Sequence, residues 1–255
     1  MDPENITFEY IGRKDFVLYQ QKNGFRFGTD SVLLAWFAAS FVRRNRNNTM
    51  LELGANCGGA TMCAAARLDD VSIDAVEIME TPCEILRKNI DANKISGRVR
   101  AFRADLRELP QELKNRMYDV VFANPPFFNS DRGPATDAAS SSEERLNGRF
   151  EENGGLDDFV RTAAARCRTS GGHVVMIMHG DRLKDLMEAY LRYKLTPTRL
   201  LTVHPSPGKN ASMILLAGKK GSPRAELKIL PPLFLDNSDG RVNRIYEEEH
   251  TDCFI

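Results

Sequence analysis

The chain has 255 residues, 42% of them hydrophobic, and its 35 Lys and Arg balance 35 Asp and Glu for a formal net charge of zero. That length holds one large α/β domain or two small ones, and the charge balance excludes a protein that coats nucleic acid by bulk charge. No apolar run is long enough to span a bilayer, and the opening MDPENITFEY is too acidic and polar for a signal peptide.

An N-terminal segment, residues 1–29, ends in GFRFGTD. Asp30 then reads as the N-cap of an amphipathic helix, SVLLAWFAASFVRR, with basic residues at its C-terminal end. TMLELG follows as a short strand closing at Gly54, and GGATMCAAARL as a small-residue helix. VSIDAVE is a second strand of the series, and TPCEILRKNIDANK a helix with Thr81 as cap and Pro82 in first position. RVRAFRAD and YDVVFAN are the next two strands. Residues 129–155 are polar and carry no periodicity, and their place directly after an Asn-Pro-Pro favours a lid. LDDFVRTAAARCR is a helix, GHVVMIMH a strand and DRLKDLMEAYLRYK a helix. RLLTVHP, SMILLAGKK and AELKILPPLFL close the series as three strand-like runs with no helix between them. Strands alternating with helices imply a parallel sheet covered on both faces, and the closing run implies an antiparallel edge.

Cys57, Cys63, Cys83, Cys167 and Cys253 form no Cys-x-x-Cys pair, which points to reduced thiols in a cytoplasm. His173, His179, His204 and His250 have no metal-ligand spacing and read as structural or surface residues, so no metal is expected. Two basic stretches, residues 97–107 and 161–168, are local candidates for contacting nucleic acid, with a solvated face as the plainer reading.

Ligands of open α/β sheets bind beyond the carboxyl ends of the strands. Gly54, Glu77, Asp105 and Asn124 each fall at or just after one of four successive strand ends. The turn LELGANCGG lets backbone approach a nucleotide-like ligand closely. Glu77, 23 positions after Gly54, is placed to accept hydrogen bonds from both hydroxyls of a ribose. Asp105 is placed to accept from an adenine amino group. The corner Asn124-Pro125-Pro126-Phe127 is rigid: each proline fixes its own φ and holds the residue before it extended. The Asn124 side-chain oxygen and the Pro125 carbonyl are two acceptors that can grip both N–H bonds of a planar amine, where charge develops as the nitrogen turns tetrahedral. Phe127 offers a ring face on which a base can stack.

NPPF, LELGANCGG and DAVE together resemble S-adenosylmethionine-dependent amino-methyltransferases. FRFGTDSVLLAWFA, NPPFF, VHPSPGKNASMILLAG and LPPLFL are more closely similar to the bacterial tRNA(Val) adenine-37 N6-methyltransferase family, of the methyltransferase small domain type. The similarity runs from about residue 16 to 236. It implies a Rossmann-like class I fold with a mostly parallel seven-stranded sheet, a methyltransferase domain over residues 30–236 and a tail over 237–255. It implies S-adenosylmethionine as cofactor, held by Thr29, Asp30, Glu52, Gly54, Ala55, Asn56, Gly58, Glu77, Ile78, Asp105, Leu106 and Asn124. Asn124, Pro125, Pro126 and Phe127 would be catalytic, with Phe127, Phe128 and Arg149 binding a tRNA substrate in the cytoplasm. Asn56 stands where the family usually has Gly, Phe127 where Tyr is more frequent, and Phe150 where relatives often carry His. Other acceptors for the same chemistry, a protein glutamine amide or a DNA adenine, remain open. So do a nucleotide-binding regulatory module without turnover and, more weakly, a dehydrogenase.

Overall fold

The computed structural model describes residues 6–22, 24, 26–43, 46–126 and 154–247. A hairpin, β1 (Ile6–Tyr10) and β2 (Val17–Gln21), precedes α1 (Thr29–Ala39). The alternating series is β3 (Asn48–Leu53), α2 (Gly59–Arg67), β4 (Val71–Glu77), α3 (Glu80–Ala92), β5 (Val99–Arg103), the short α4 (Gln111–Lys114) and β6 (Val120–Ala123). It continues with α5 (Leu156–Arg166), β7 (His173–His179), α6 (Leu183–Arg192), β8 (Leu195–His204) and β9 (Met213–Lys220). The two-residue strands β10 (Lys228–Ile229) and β11 (Leu233–Phe234) and α7 (Arg241–Glu247) complete the described chain.

The long strands lie in the order β8-β9-β7-β6-β3-β4-β5. β7, β6, β3, β4 and β5 are parallel, and β9 runs antiparallel between β7 and β8. This is the expected seven-stranded sheet with an antiparallel edge. The last expected strand divides in two: Pro231 and Pro232 have no N–H to offer β8, so pairing occurs only on either side of them. The apolar run at β6 is explained by burial on both faces. Val120 and Phe122 pack with the α1–α2 layer, Val121 and Ala123 with the α5–α6 layer.

Two helix starts differ from expectation. α1 is not amphipathic: Ser31 to Ala39 are all buried. Gly28, not Asp30, holds the cap position, and Asp30 is the second helical residue. The helix also stops before its basic residues, where the Asn48 side chain accepts from the Arg43 N–H and donates to the Arg43 carbonyl. α3 begins at Glu80, so Thr81 is no cap and Pro82 lies third in the helix. The N–H of Met79, just before it, donates instead to Glu77 Oε1 at 2.8 Å.

The hairpin is fastened by an unusual pairing. On α3, Asn93 accepts from the Val17 N–H and donates to the Val17 carbonyl, both at 2.8 Å. One turn earlier, Asn89 does the same for Tyr19, at 2.7 and 2.9 Å. Two amides at i and i+4 therefore match two strand residues at i and i+2, as a neighbouring strand would. Among the described residues, no helix is long and apolar enough to cross a membrane.

The two basic stretches serve the fold. Arg98 donates to the carbonyls of Ala65 and Leu68, Arg100 pairs with Asp74 and Glu112, and Arg103 pairs with Glu80. Arg161 and Arg168 pair with Asp158 and Asp119.

Asn89 is fully buried and also donates to the Cys57 carbonyl at 2.8 Å. Asn89→Ala leaves three backbone groups without their partner and is expected to cost at least about 2 kcal/mol. Urea unfolding of the variant checks this; a parent-like midpoint would contradict it.

Candidate active-site cleft

Strand order reverses between β3 and β6, which opens a crevice at their carboxyl ends. The loop after β3 turns tightly because Gly54, Asn56 and Gly58 all take left-handed backbone, with φ of 70°, 50° and 87°. Asn is among the few non-glycine residues that adopt this conformation readily, and Asn56 reinforces it by accepting the Cys57 N–H on its own Oδ1 at 2.6 Å. The departure from glycine thus keeps the turn, which the Gly58 N–H closes onto the Ala55 carbonyl at 2.8 Å. A Cβ at Gly58 would lie 2.4 Å from Leu86 Cδ1, and one at Gly54 would lie 3.0 Å from the Phe159 ring.

Glu77 ends β4 with both oxygens engaged. Oε2 accepts the Asn56 N–H at 2.7 Å and Oε1 the Met79 N–H at 2.8 Å. Burial raises its pKa, and these N–H donors pull it back. Glu52, on β3, is deeper still. It accepts from the Thr61 hydroxyl, and burial pushes its pKa up to about 8. Asn124 follows β6. Its Nδ2 donates to Asp30 Oδ2 at 2.7 Å, and its Oδ1 is buried with no hydrogen-bond partner among the described residues.

The cleft brings together Glu52, Gly54, Ala55, Asn56, Glu77, Ile78, Leu106, Asn124, Pro125 and Pro126 of the expected set. Gly58 stands behind the loop as the cap position of α2. Thr29 accepts from the Tyr246 hydroxyl of α7 at 3.3 Å rather than lining the cleft. Asp105 is also outside the lining. Its carboxylate caps the turn at Leu106–Glu108 and pairs with Arg107, which holds its pKa below the usual range. Phe127, Phe128, Arg149 and the lid residues 129–153 lie outside the described residues. Gly154 is described and lines the cleft.

The cleft is also lined by residues outside the expected set, among them Leu18 and Gln20 of β2, Phe27, and Phe159 of α5. β2 alternates, with Leu18 and Gln20 turned inward and buried. A glutamine on the inward set of a strand is the signal that could have found it. Gln20 Oε1 accepts the Phe27 N–H at 2.8 Å, which directs Nε2, buried and without a partner among the described residues, elsewhere.

Residues 28–142 match the family described as methyltransferase small domain. Among curated relatives, the tRNA1(Val) (adenine(37)-N6)-methyltransferase of Porphyromonas gingivalis is 28% identical over 204 residues, covering 79% of this chain and 77% of that one. The protein of the same name from Dyadobacter fermentans is 26% identical over 241 residues, covering 93% and 92%. Among solved structures, a predicted O-methyltransferase from Agrobacterium tumefaciens superposes with a TM-score of 0.61 at 24% identity, over 79% of this chain and 86% of that one. A type I restriction-modification methyltransferase subunit from Streptococcus thermophilus superposes with a TM-score of 0.59 at 13% identity, over 89% and 53%. The sheet order is that of the class I methyltransferase fold. Over residues 28–142 the chain is similar to the methyltransferase small domain family.

Glu52 sets a pH dependence. Its pKa is raised from 4.5 to about 8, so the folded chain keeps a proton that the unfolded chain releases in that window. Stability is greatest below the window and falls as pH rises through it. Between pH 5 and pH 8 the parent is expected to lose on the order of 3 kcal/mol more than Glu52→Gln. Urea unfolding of both proteins at the two pH values measures the difference.

Proposed function

We propose that the protein is a cytoplasmic, S-adenosylmethionine-dependent N-methyltransferase that methylates the exocyclic N6 of an adenine in tRNA, next to the anticodon of a valine tRNA. The observation that carries this reading is the Asn124-Pro125-Pro126 corner: a rigid turn on the cleft with a buried, unpartnered acceptor oxygen. The names of the curated relatives support the acceptor.

The cleft fits the cofactor chemically. It offers a buried donor at Gln20 that has no partner among the described residues, a carboxyl group at Glu77 and apolar walls from Leu18, Val76 and Leu106. Glu77 would accept from ribose hydroxyls with lone pairs its two N–H donors leave free. Ile78 and Leu106 would flank the adenine ring, with the Gly54–Gly58 loop against the amino-acid part. When bound, S-adenosylmethionine supplies a methyl group activated by its sulfonium.

An exocyclic amine is a poor nucleophile because its lone pair is delocalised into the ring. Asn124 Oδ1 and the Pro125 carbonyl would accept its two N–H bonds and favour the tetrahedral nitrogen of the transition state. The lone pair then points away from both acceptors. No strong base is required, because the nitrogen becomes acidic only as it gains the methyl, and its proton can leave to solvent. Phe127 would stack on the base.

Mass spectrometry of tRNA nucleosides from cells with and without the gene tests the acceptor. N6-methyladenosine should vanish from one tRNA, and an unchanged tRNA profile alongside a lost glutamine or DNA methylation would redirect the reading. Asn124→Ala is expected to slow single-turnover transfer to unmodified tRNA by about 10²–10³, with calorimetric affinity for S-adenosylmethionine little changed. Glu77→Ala should do the reverse first. It should weaken cofactor affinity by at least tenfold, about the loss of one hydrogen bond to a charged group. Equal affinity in parent and variant would remove Glu77 from the cofactor site.

A further inference from the structure

Asn124 is held by two devices that act on different bonds. The prolines that follow it restrict its backbone. They leave the amide plane free, because rotation about an sp³–sp² side-chain bond is broad and nearly two-fold. In one orientation the amide presents oxygen to an amine; in the other it presents NH2, and a donor meets a donor.

Asp30 removes that ambiguity. Its Oδ2 lies 2.7 Å from Asn124 Nδ2, and it comes from a helix 94 residues earlier in the chain. An ionised carboxylate only accepts hydrogen bonds, so it selects the NH2 end of the amide. The opposite end, Oδ1, is then the buried atom without a partner. Asp30 is itself mounted on rigid structure, since every following residue of α1 is buried. Burial raises its pKa, while the Ser31 N–H, the Asn124 amide and the charge of His179 at the end of β7 favour the carboxylate.

We propose that Asp30 is a positioning residue for methyl transfer: it turns the Asn124 amide so that its oxygen, and not its NH2, meets the target amine. This rests on reading Asn124-Pro125-Pro126 as the transfer corner. Asp30 touches neither the reacting nitrogen nor the methyl group; it acts through Asn124 alone.

That last property gives the test. Asp30→Ala, Asn124→Ala and the double variant are compared in single-turnover transfer to unmodified tRNA, with melting curves for each. Asp30→Ala should slow transfer by up to about 10²-fold, as misplacement of a reacting partner does. In the Asn124→Ala background the same change should cost nothing further. Additive losses would overturn the proposal, because they would mean that Asp30 acts by another route. Asp30→Asn preserves shape but can donate as well as accept, so it should be intermediate in rate, and it replaces Asp30→Ala in the cycle if that variant fails to fold.

A second measurement needs no RNA. The side-chain NH2 resonances of Asn124, identified by their loss in Asn124→Ala, should move in Asp30→Asn while those of Asn89 and Asn93 stay in place. Unmoved Asn124 resonances would overturn the proposal whatever the rates. Absence of transfer by the parent protein would instead count against tRNA as acceptor, and the resonances would still decide the orientation.

Discussion

The carboxylate of Glu77 is the joint on which the cleft is assembled. It ends β4 and binds one backbone N–H on each side, Asn56 in the loop after β3 and Met79 at the start of α3. A buried carboxylate stabilises a structure only when its oxygens are satisfied. Here the satisfying groups belong to two separate turns, so the charge draws both to one point. The loop needs such an anchor, because a left-handed Asn56 has few ways to hold its conformation by packing. α3 in turn carries Asn89 and Asn93, which fasten β2. One charged group thus fixes the floor of the cleft directly and its outer wall through a helix.

That wall is what the alternating part of the fold cannot supply. A parallel sheet with a switch point gives an open crevice, bounded by loops at the strand ends. The hairpin closes one side with Leu18 and Gln20. α5 closes another with Phe159, whose ring sits where a side chain at Gly54 would be. Each closure is a long-range contact made by a residue whose local sequence carries another message.

This explains which parts could be read from the sequence. Buried strands that end in Gly54, Glu77 and Asn124 are legible because an apolar run stopping at a polar residue marks both a strand end and a place where ligands meet backbone. Asn124 was the clearest, since two prolines after a buried strand have little structural use unless direction matters. The basic stretches are hard to read because charge alone does not reveal a partner: Arg100 and Arg103 pair with Asp74 and Glu80 from other elements. Asp105 shows a different limit of the sequence. Its position at a strand end is right, yet Arg107 two residues on takes its carboxylate. α1 is not the amphipathic helix that the sequence suggests. It is buried all round because the sheet, α2 and α7 surround it, and no local periodicity carries that information.

The charges around the cleft discriminate between nucleotide ligands more sharply than the loop does. Glu52 and Glu77 line it and Asp30 stands just behind Asn124, while no Lys or Arg lines it among the described residues. A dinucleotide brings a pyrophosphate, whose two negative charges would face these carboxyls with no cation to offset them. S-adenosylmethionine brings a sulfonium, an ammonium and one carboxylate, for a net positive charge, and no phosphate. The three acids tolerate one another in the free protein by different means: Glu52 by keeping its proton, Glu77 by two backbone N–H groups, and Asp30 by the Ser31 N–H and the Asn124 amide. A positively charged ligand relieves what remains of that repulsion. A glycine turn and an acid at the end of the next strand are features that dehydrogenases share, so they do not separate the two classes. The sign of the charge in the cleft does.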